Sequence, residues 1–156
     1  VVAGTALIRA LLPGMIRRAR QSGQRAGLIV VSSTTAFQPV PYLATYAASK
    51  AFLLHFGEAL AEELRNDPVD VLVLCPGPIR TRMSSSSGLP VDRIPGALEP
   101  ERVARAALDN LGRRTVVTTG WSGKLTIDPL LGPRRAITGG LGQLMRMVNR
   151  RYGPNP

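Results

Sequence analysis

Two short, almost uninterrupted apolar runs bound what this chain can fold into: residues 28–33 read LIVVSS and residues 69–75 read VDVLVLC. A strand with one wet face needs a polar side chain at every second position, and these runs lack that alternation. They read as strands covered on both faces, the condition of a parallel sheet. Between them, residues 43–65 carry the longest helical pattern, closed by Glu62, Glu63, Arg65 and the stop signal NDP. A parallel pair requires such a crossover, so strand, helix and strand form one unit.

The rest of the chain extends that unit. Residues 5–20 place Leu7, Ile8, Leu11, Leu12, Met15 and Ile16 at one-turn spacing, which predicts an amphipathic helix. Pro13 is expected to kink it, and QSGQRAG to end it. EPERVARAALDNLG predicts a helix with Pro100 near its first turn and Gly112 at its end. TVVTTG predicts a third strand. The stretch from Pro76 to Gly96 is rich in Pro, Gly and Ser, with SSSSG at 84–88 expected as a mobile lid edge. The expected class is α/β, a parallel sheet with right-handed crossovers and one domain.

Composition removes several functions. Cys75 is the single cysteine and His55 the single histidine, so no intrachain disulfide and no Cys/His metal cluster is expected, and a reducing compartment fits. Cys75 itself reads as a small buried hydrophobe. No run of about 18 uncharged apolar residues marks a membrane span. The net charge of +10 rests almost wholly on arginine and is spread along the chain. An arginine-rich composition accounts for it best. A contact of the basic tail with an anionic membrane comes second, and nucleic acid is the least supported partner.

One constellation carries chemistry. Tyr46 and Lys50 stand one helical turn apart, so they share a face. Ser33 ends the first apolar run thirteen residues before Tyr46, and CPGPIRT follows the second run. Open α/β sheets bind ligands beyond the carboxyl ends of their strands, where these pieces converge. A phenol ionises near pKa 10, and a neighbouring ammonium favours its anion. Such a phenol can exchange a proton with a carbonyl oxygen, while the Ser33 hydroxyl steadies the charge that grows there.

GLIVVSSTTAFQPVPYLATYAASKAF resembles the short-chain dehydrogenases/reductases, which place a strand-end Ser thirteen residues before a Tyr-x-x-x-Lys. CPGPIRT is similar to the family's Pro-Gly turn, and ALLPGM to its Leu-Pro-x-Met helix. The resemblance covers the chain to about residue 120 and implies a partial Rossmann-type, doubly wound parallel sheet. It implies an alcohol–ketone or alcohol–aldehyde oxidoreductase with Tyr46 as acid/base and Ser33 polarising the carbonyl. Lys50 would lower the phenol pKa and hold the nicotinamide ribose, and Pro76, Gly77, Ile79 and Thr81 would touch the nicotinamide half. The cofactor implied is NAD or NADP, with NADP slightly favoured. The family's glycine-rich pyrophosphate turn and its relay Asn have no counterpart here. Roughly the first hundred residues of the usual domain, its N-terminal βαβ units, are therefore expected to precede Val1. The first strand would then have an unpaired side.

The remaining expectations are plainer. Residues 1–156 form a single partial domain, with 121–156 as a variable tail. Thr34, Thr35, Phe37 and Gln38 line either a substrate pocket or an ordinary loop. His55 falls on the helix face opposite Tyr46 and is not catalytic; that face, with Phe52 and Phe56, is where a second subunit would pack. Arg134, Arg135, Arg146, Arg150 and Arg151 interleave with apolar residues, either as a solvated helix over the pocket or as a peripheral membrane contact. The substrate expected is a small carbonyl or alcohol, an apolar one suiting such a tail, in a cytoplasmic homo-oligomer. Two other classes stand beside the enzyme: a non-catalytic relative that kept the fold, and a basic module binding membrane or nucleic acid.

Overall fold

The structure, a computed structural model, describes residues 1–81, 96–120, 133, 136–143 and 147. The SSSSG stretch and the tail arginines named above lie outside these residues.

Helix α1 spans Val2–Ser22 and runs unbroken through Pro13. It stops at Gly23, whose φ of 70° is a left-handed conformation that a side chain would oppose. Strand β1 spans Ala26–Val31, and a 3-10 turn follows at Thr34–Phe37. Helix α2 spans Ala44–Glu63 and strand β2 Val69–Pro76. Helix α3 spans Pro100–Asn110, with its proline in the first turn where no backbone donor is needed. Strand β3, Val116–Thr119, completes the set. The strands are parallel in the order β1-β2-β3, with Leu28 opposite Val71 and Val73 opposite Val116.

The apolar run of β2 is continuous because each of its faces meets a different helix. Val73 and Cys75 pack with Leu54 of α2, while Leu72 and Leu74 pack with Val103 and Ala107 of α3. At the start of the strand, Val69 and Val71 join Leu60 and Leu64, against which Ile8, Leu12 and Ile16 of α1 lie. Leu54, Leu72, Val73 and Cys75 are the most deeply buried large side chains. Each such aliphatic side chain contributes about 1.5–3 kcal/mol by leaving water.

Strand β1 departs from the expected double burial. Only Val30 is fully buried in it, and Val31 is 52% exposed. Among the described residues β1 pairs with β2 alone, so it is an edge strand and its outer flank is open. Phe56 also differs from the reading of an outward face. It packs against the α1 side of the core and stacks on Phe52 at 5.8 Å, leaving Phe52 40% exposed.

Two glycines set how closely the layers approach. A Cβ on Gly57 of α2 would collide with Cγ2 of Val73, and one on Gly27 of β1 would lie 2.5 Å from Leu111. At the corner between α2 and β2, Asp67 accepts a hydrogen bond from Arg20 and Asp70 accepts one from Arg25. These pairs are partly exposed and contribute little stability, but they align α1 and β1 with that corner.

Candidate active site

The site grows from the end of β1. Backbone N–H of Ser32 still donates to Leu74 of β2 at 2.7 Å, and then the chain leaves the sheet. The Ser32 hydroxyl, 2% exposed, donates to the backbone carbonyl of Lys50 at 2.7 Å. In the opposite sense, the Lys50 ammonium donates to the carbonyl of Val31 at 3.2 Å. Two bonds thus fasten the first turns of α2 to the end of the strand.

Ser33 lies two residues past the strand, as the cap of the 3-10 turn. Its oxygen accepts from the Thr35 backbone N–H at 3.2 Å and from the Thr35 hydroxyl at 3.0 Å. Both contacts use Ser33 as acceptor, so its own proton remains available to a third group. The side chain is buried at 7% exposure, which holds that donor in a defined position.

Tyr46 is in the first turn of α2 and is 37% exposed. The Lys50 ammonium sits 5.6 Å from the centre of its ring, within the range of a cation–π contact. Burial holds the Lys50 pKa below the usual lysine range, and Cys75 beneath it acts weakly the other way. A half-buried ammonium with one protein acceptor among the described residues keeps two donors for a ligand.

The turn after β2 is bound on its far side. Pro76 is buried at the strand end, and Gly77 N–H donates to the Thr119 carbonyl at 3.2 Å. A Cβ at Gly77 would stand 3.2 Å from that same oxygen, so the close approach favours glycine. Ile79 forms a bridge with Leu98 and packs onto the cluster of Leu72, Leu74 and Val103, the α3 side of the sheet. Arg80 pairs with Glu99 at 2.8 Å, and Thr81 is half-buried.

The structure therefore brings Tyr46 and Lys50 together and ties Lys50 to the end of β1, beside the end of β2. Ser33 caps the next turn, Pro76 and Gly77 close the neighbouring strand, and Ile79 turns its side chain to the other face. His55 is exposed on the opposite side of α2, as expected. There, with Ala44, Ala48, Phe37, Gln38 and Pro41, it lines a groove of about 570 Å³. Ser32 was not anticipated; an adjacent pair of strand-end serines is its only mark in the sequence. Tyr42, fully exposed with φ of 66°, is a second unforeseen feature, a strained backbone just before α2.

The sequence model of the short chain dehydrogenase family matches residues 1–90. The chain belongs to that family. It is 32% identical to the chicken (Gallus gallus) hydroxysteroid dehydrogenase-like protein 1 over 134 residues, which is 86% of this chain and 38% of that protein. Its identity to the human inactive hydroxysteroid dehydrogenase-like protein 1 is 30%, over 78% of this chain and 36% of that one. The chain thus spans less than half the length of these relatives. Among solved structures, a short-chain dehydrogenase from Sphingobium yanoikuyae in complex with NADPH matches with a TM-score of 0.64 and 26% identity. It covers 85% of this chain and 52% of that one. A 3-ketoacyl-(acyl-carrier-protein) reductase from Brucella melitensis complexed with NADH matches with a TM-score of 0.60 and 27% identity, over 72% and 49% of the two chains. The three parallel strands and their helices correspond to part of the family's Rossmann-type sheet.

Proposed function

We propose that this chain is the catalytic part of an NAD(P)-dependent oxidoreductase that interconverts an alcohol and a ketone or aldehyde. The observation that carries the reading is the Tyr46–Lys50 pair, held side by side at the end of β1. The NADPH and NADH complexes of the two solved relatives support the choice of cofactor.

The residues present suit one half of such a cofactor. The two spare donors of Lys50 match the paired hydroxyls of a ribose, and Pro76, Gly77, Ile79 and Thr81 are the proposed contacts of the nicotinamide half. When bound, the nicotinamide supplies or accepts a hydride at the substrate carbon. In the reducing direction Tyr46 gives its phenolic proton to the carbonyl oxygen, and the C=O bond becomes C–H and O–H. Lys50 stabilises the phenolate left behind, and Ser33 donates its proton in a hydrogen bond to the oxygen as negative charge gathers there. In the oxidising direction Tyr46 takes the proton back.

The substrate is proposed to be a small, apolar carbonyl or alcohol. Leu7, Leu11 and Phe52, all exposed on the α1 and α2 surface, support a homo-oligomer. Among the described residues no helix is long and apolar enough to cross a membrane; a cytoplasmic site with a peripheral contact of the basic tail is part of the proposal. A non-catalytic relative is the second reading, supported by the similarity to the human inactive hydroxysteroid dehydrogenase-like protein 1. Tyr46→Phe in the natural full-length protein separates the two. It should lower kcat by about 10²–10⁴-fold while dinucleotide affinity changes little. Equal turnover in the variant, or no turnover in the wild type with any simple ketone, would sink the catalytic reading.

A further inference from the structure

On the far side of the sheet, α3 and the outer flank of β3 enclose a cleft of about 640 Å³. One wall is a stripe of α3, Arg102, Ala106 and Asn110, four residues apart, and Arg114 beyond the helix end extends the lining. Thr119 and Gly120 from the end of β3 and Leu98 from the entry to α3 also line it. Because β2 and β3 are parallel, α3 carries the chain back along the sheet. Its first turn, with Arg102, therefore lies at the rim where β3 ends.

Thr119 is the observation that points to a ligand. It is 4% exposed, and among the described residues its hydroxyl has no hydrogen-bond partner. Val117, two residues earlier on the same strand face, packs against Val103 and Ala107, so the Thr119 side chain is directed to the α3 side and into the cleft. A buried hydroxyl left unpaired is destabilising, and native proteins rarely keep one without a partner.

The electrostatics of that end are positive. Arg102 forms no ion pair among the described residues. The first turn of α3 adds the partial positive charge of its free N–H groups. Of the nearby acids, Glu99 is engaged by Arg80, and Glu101 does not line the cleft. Leu98, Ala106 and Val117 supply an apolar floor. We propose that the Thr119–Arg102 end of this cleft binds an anionic oxygen group, a carboxylate or a phosphate, carried by a small molecule. The Thr119 hydroxyl donates to one oxygen of that group, and the Arg102 guanidinium balances its charge.

The probes are inorganic phosphate and butyrate, titrated into the full-length protein at constant ionic strength, with chloride as the reference. Amide NMR shifts at Thr119, Gly120 and Arg102 should move and saturate with one of the two anions and not with chloride. Arg102→Gln and Thr119→Val should each weaken that binding at least tenfold, while Arg105→Gln, on the same helix but outside the cleft, should leave it unchanged. Phosphate-only or butyrate-only saturation identifies the source of the anionic group. Thr119→Val adds no bulk, and an unfolding midpoint at or above that of the wild type shows that it folds. No saturation beyond chloride, or equal binding in Arg102→Gln, overturns the proposal. Equal binding in Thr119→Val also overturns it, since the hydroxyl would then be met by water alone. The readout is binding, not turnover, and Tyr46→Phe should bind as the wild type does, so failure here is distinct from failure of the catalytic reading.

Discussion

Replacing Gly57 by alanine places a methyl group where Cγ2 of Val73 already sits, with Cβ of Val30 3.8 Å from the new carbon. Val73 has no room to yield, being 0% exposed and packed on Leu54, Cys75 and Val116. Its branched side chain also has few rotamers open to it. Overpacking of this kind costs about 1–3 kcal/mol, and a rigid site such as this belongs in the upper part of that range. Alanine regains about 1 kcal/mol of helix propensity over glycine. The net expectation is a loss of about 1–2 kcal/mol, read as a lower urea midpoint with an unchanged m value. Gly4 of α1 has nothing within 4 Å of its would-be Cβ, so Gly4→Ala should keep or raise stability. In a Val73→Ala background the added methyl meets vacant space, and Gly57→Ala should become neutral or stabilising; that coupling isolates the contact. Because α2 also carries Tyr46 and Lys50, the strained variant should lose turnover and bind the dinucleotide less tightly. A Gly57→Ala protein as stable as Gly4→Ala, with no coupling to Val73, would refute the close approach of α2 to β2.

Two further outcomes follow from the same corner. Lys50 has a lowered pKa in the folded protein, so the unfolded chain holds its proton more tightly between that value and the ordinary lysine range. Raising the pH through that window should stabilise the wild type relative to Lys50→Met; parallel urea midpoints for the two proteins across it would contradict the burial assigned to the ammonium. Ser32→Ala removes the hydroxyl bond to the Lys50 carbonyl and should cost about 1 kcal/mol in stability, with a fall in kcat larger than the change in KM. An unchanged kcat would show that this bond does not position the pair.

Much of the fold was legible because burial on two faces leaves a mark. The apolar run of β2, interrupted only by Asp70 near its start, left its mark, and its alternate residues divide between α2 and α3 as a parallel sheet requires. The same pattern in β1 misled, since an apolar strand looks alike at the centre and at the edge of a sheet; pairing partners decide its exposure, and Val31 ends half open. The strand also stops two residues early, where Ser33 turns to cap a 3-10 turn that short polar residues favour but do not announce. That Tyr46 and Lys50 share a helix face was readable from their spacing. The tie from Ser32 to Lys50 was not, because it joins positions eighteen residues apart through a turn whose path no local pattern dictates. Gly57 stood out only as a lone glycine inside a helical pattern. The neighbour that excludes a side chain there belongs to a strand read separately. Nor does sequence spacing reveal that Ile79 faces α3 while Gly77 beside it meets Thr119.

The crossed bonds between the end of β1 and the start of α2 have a consequence for variation. They locate the ammonium, and with it the helix turn that carries the phenol, relative to the sheet, by bonds that lie outside the segments expected to surround a ligand. Insertions or exchanges in those outer segments can reshape what is admitted while the proton donor keeps its address, so new specificities can arise on this frame without rebuilding its chemistry.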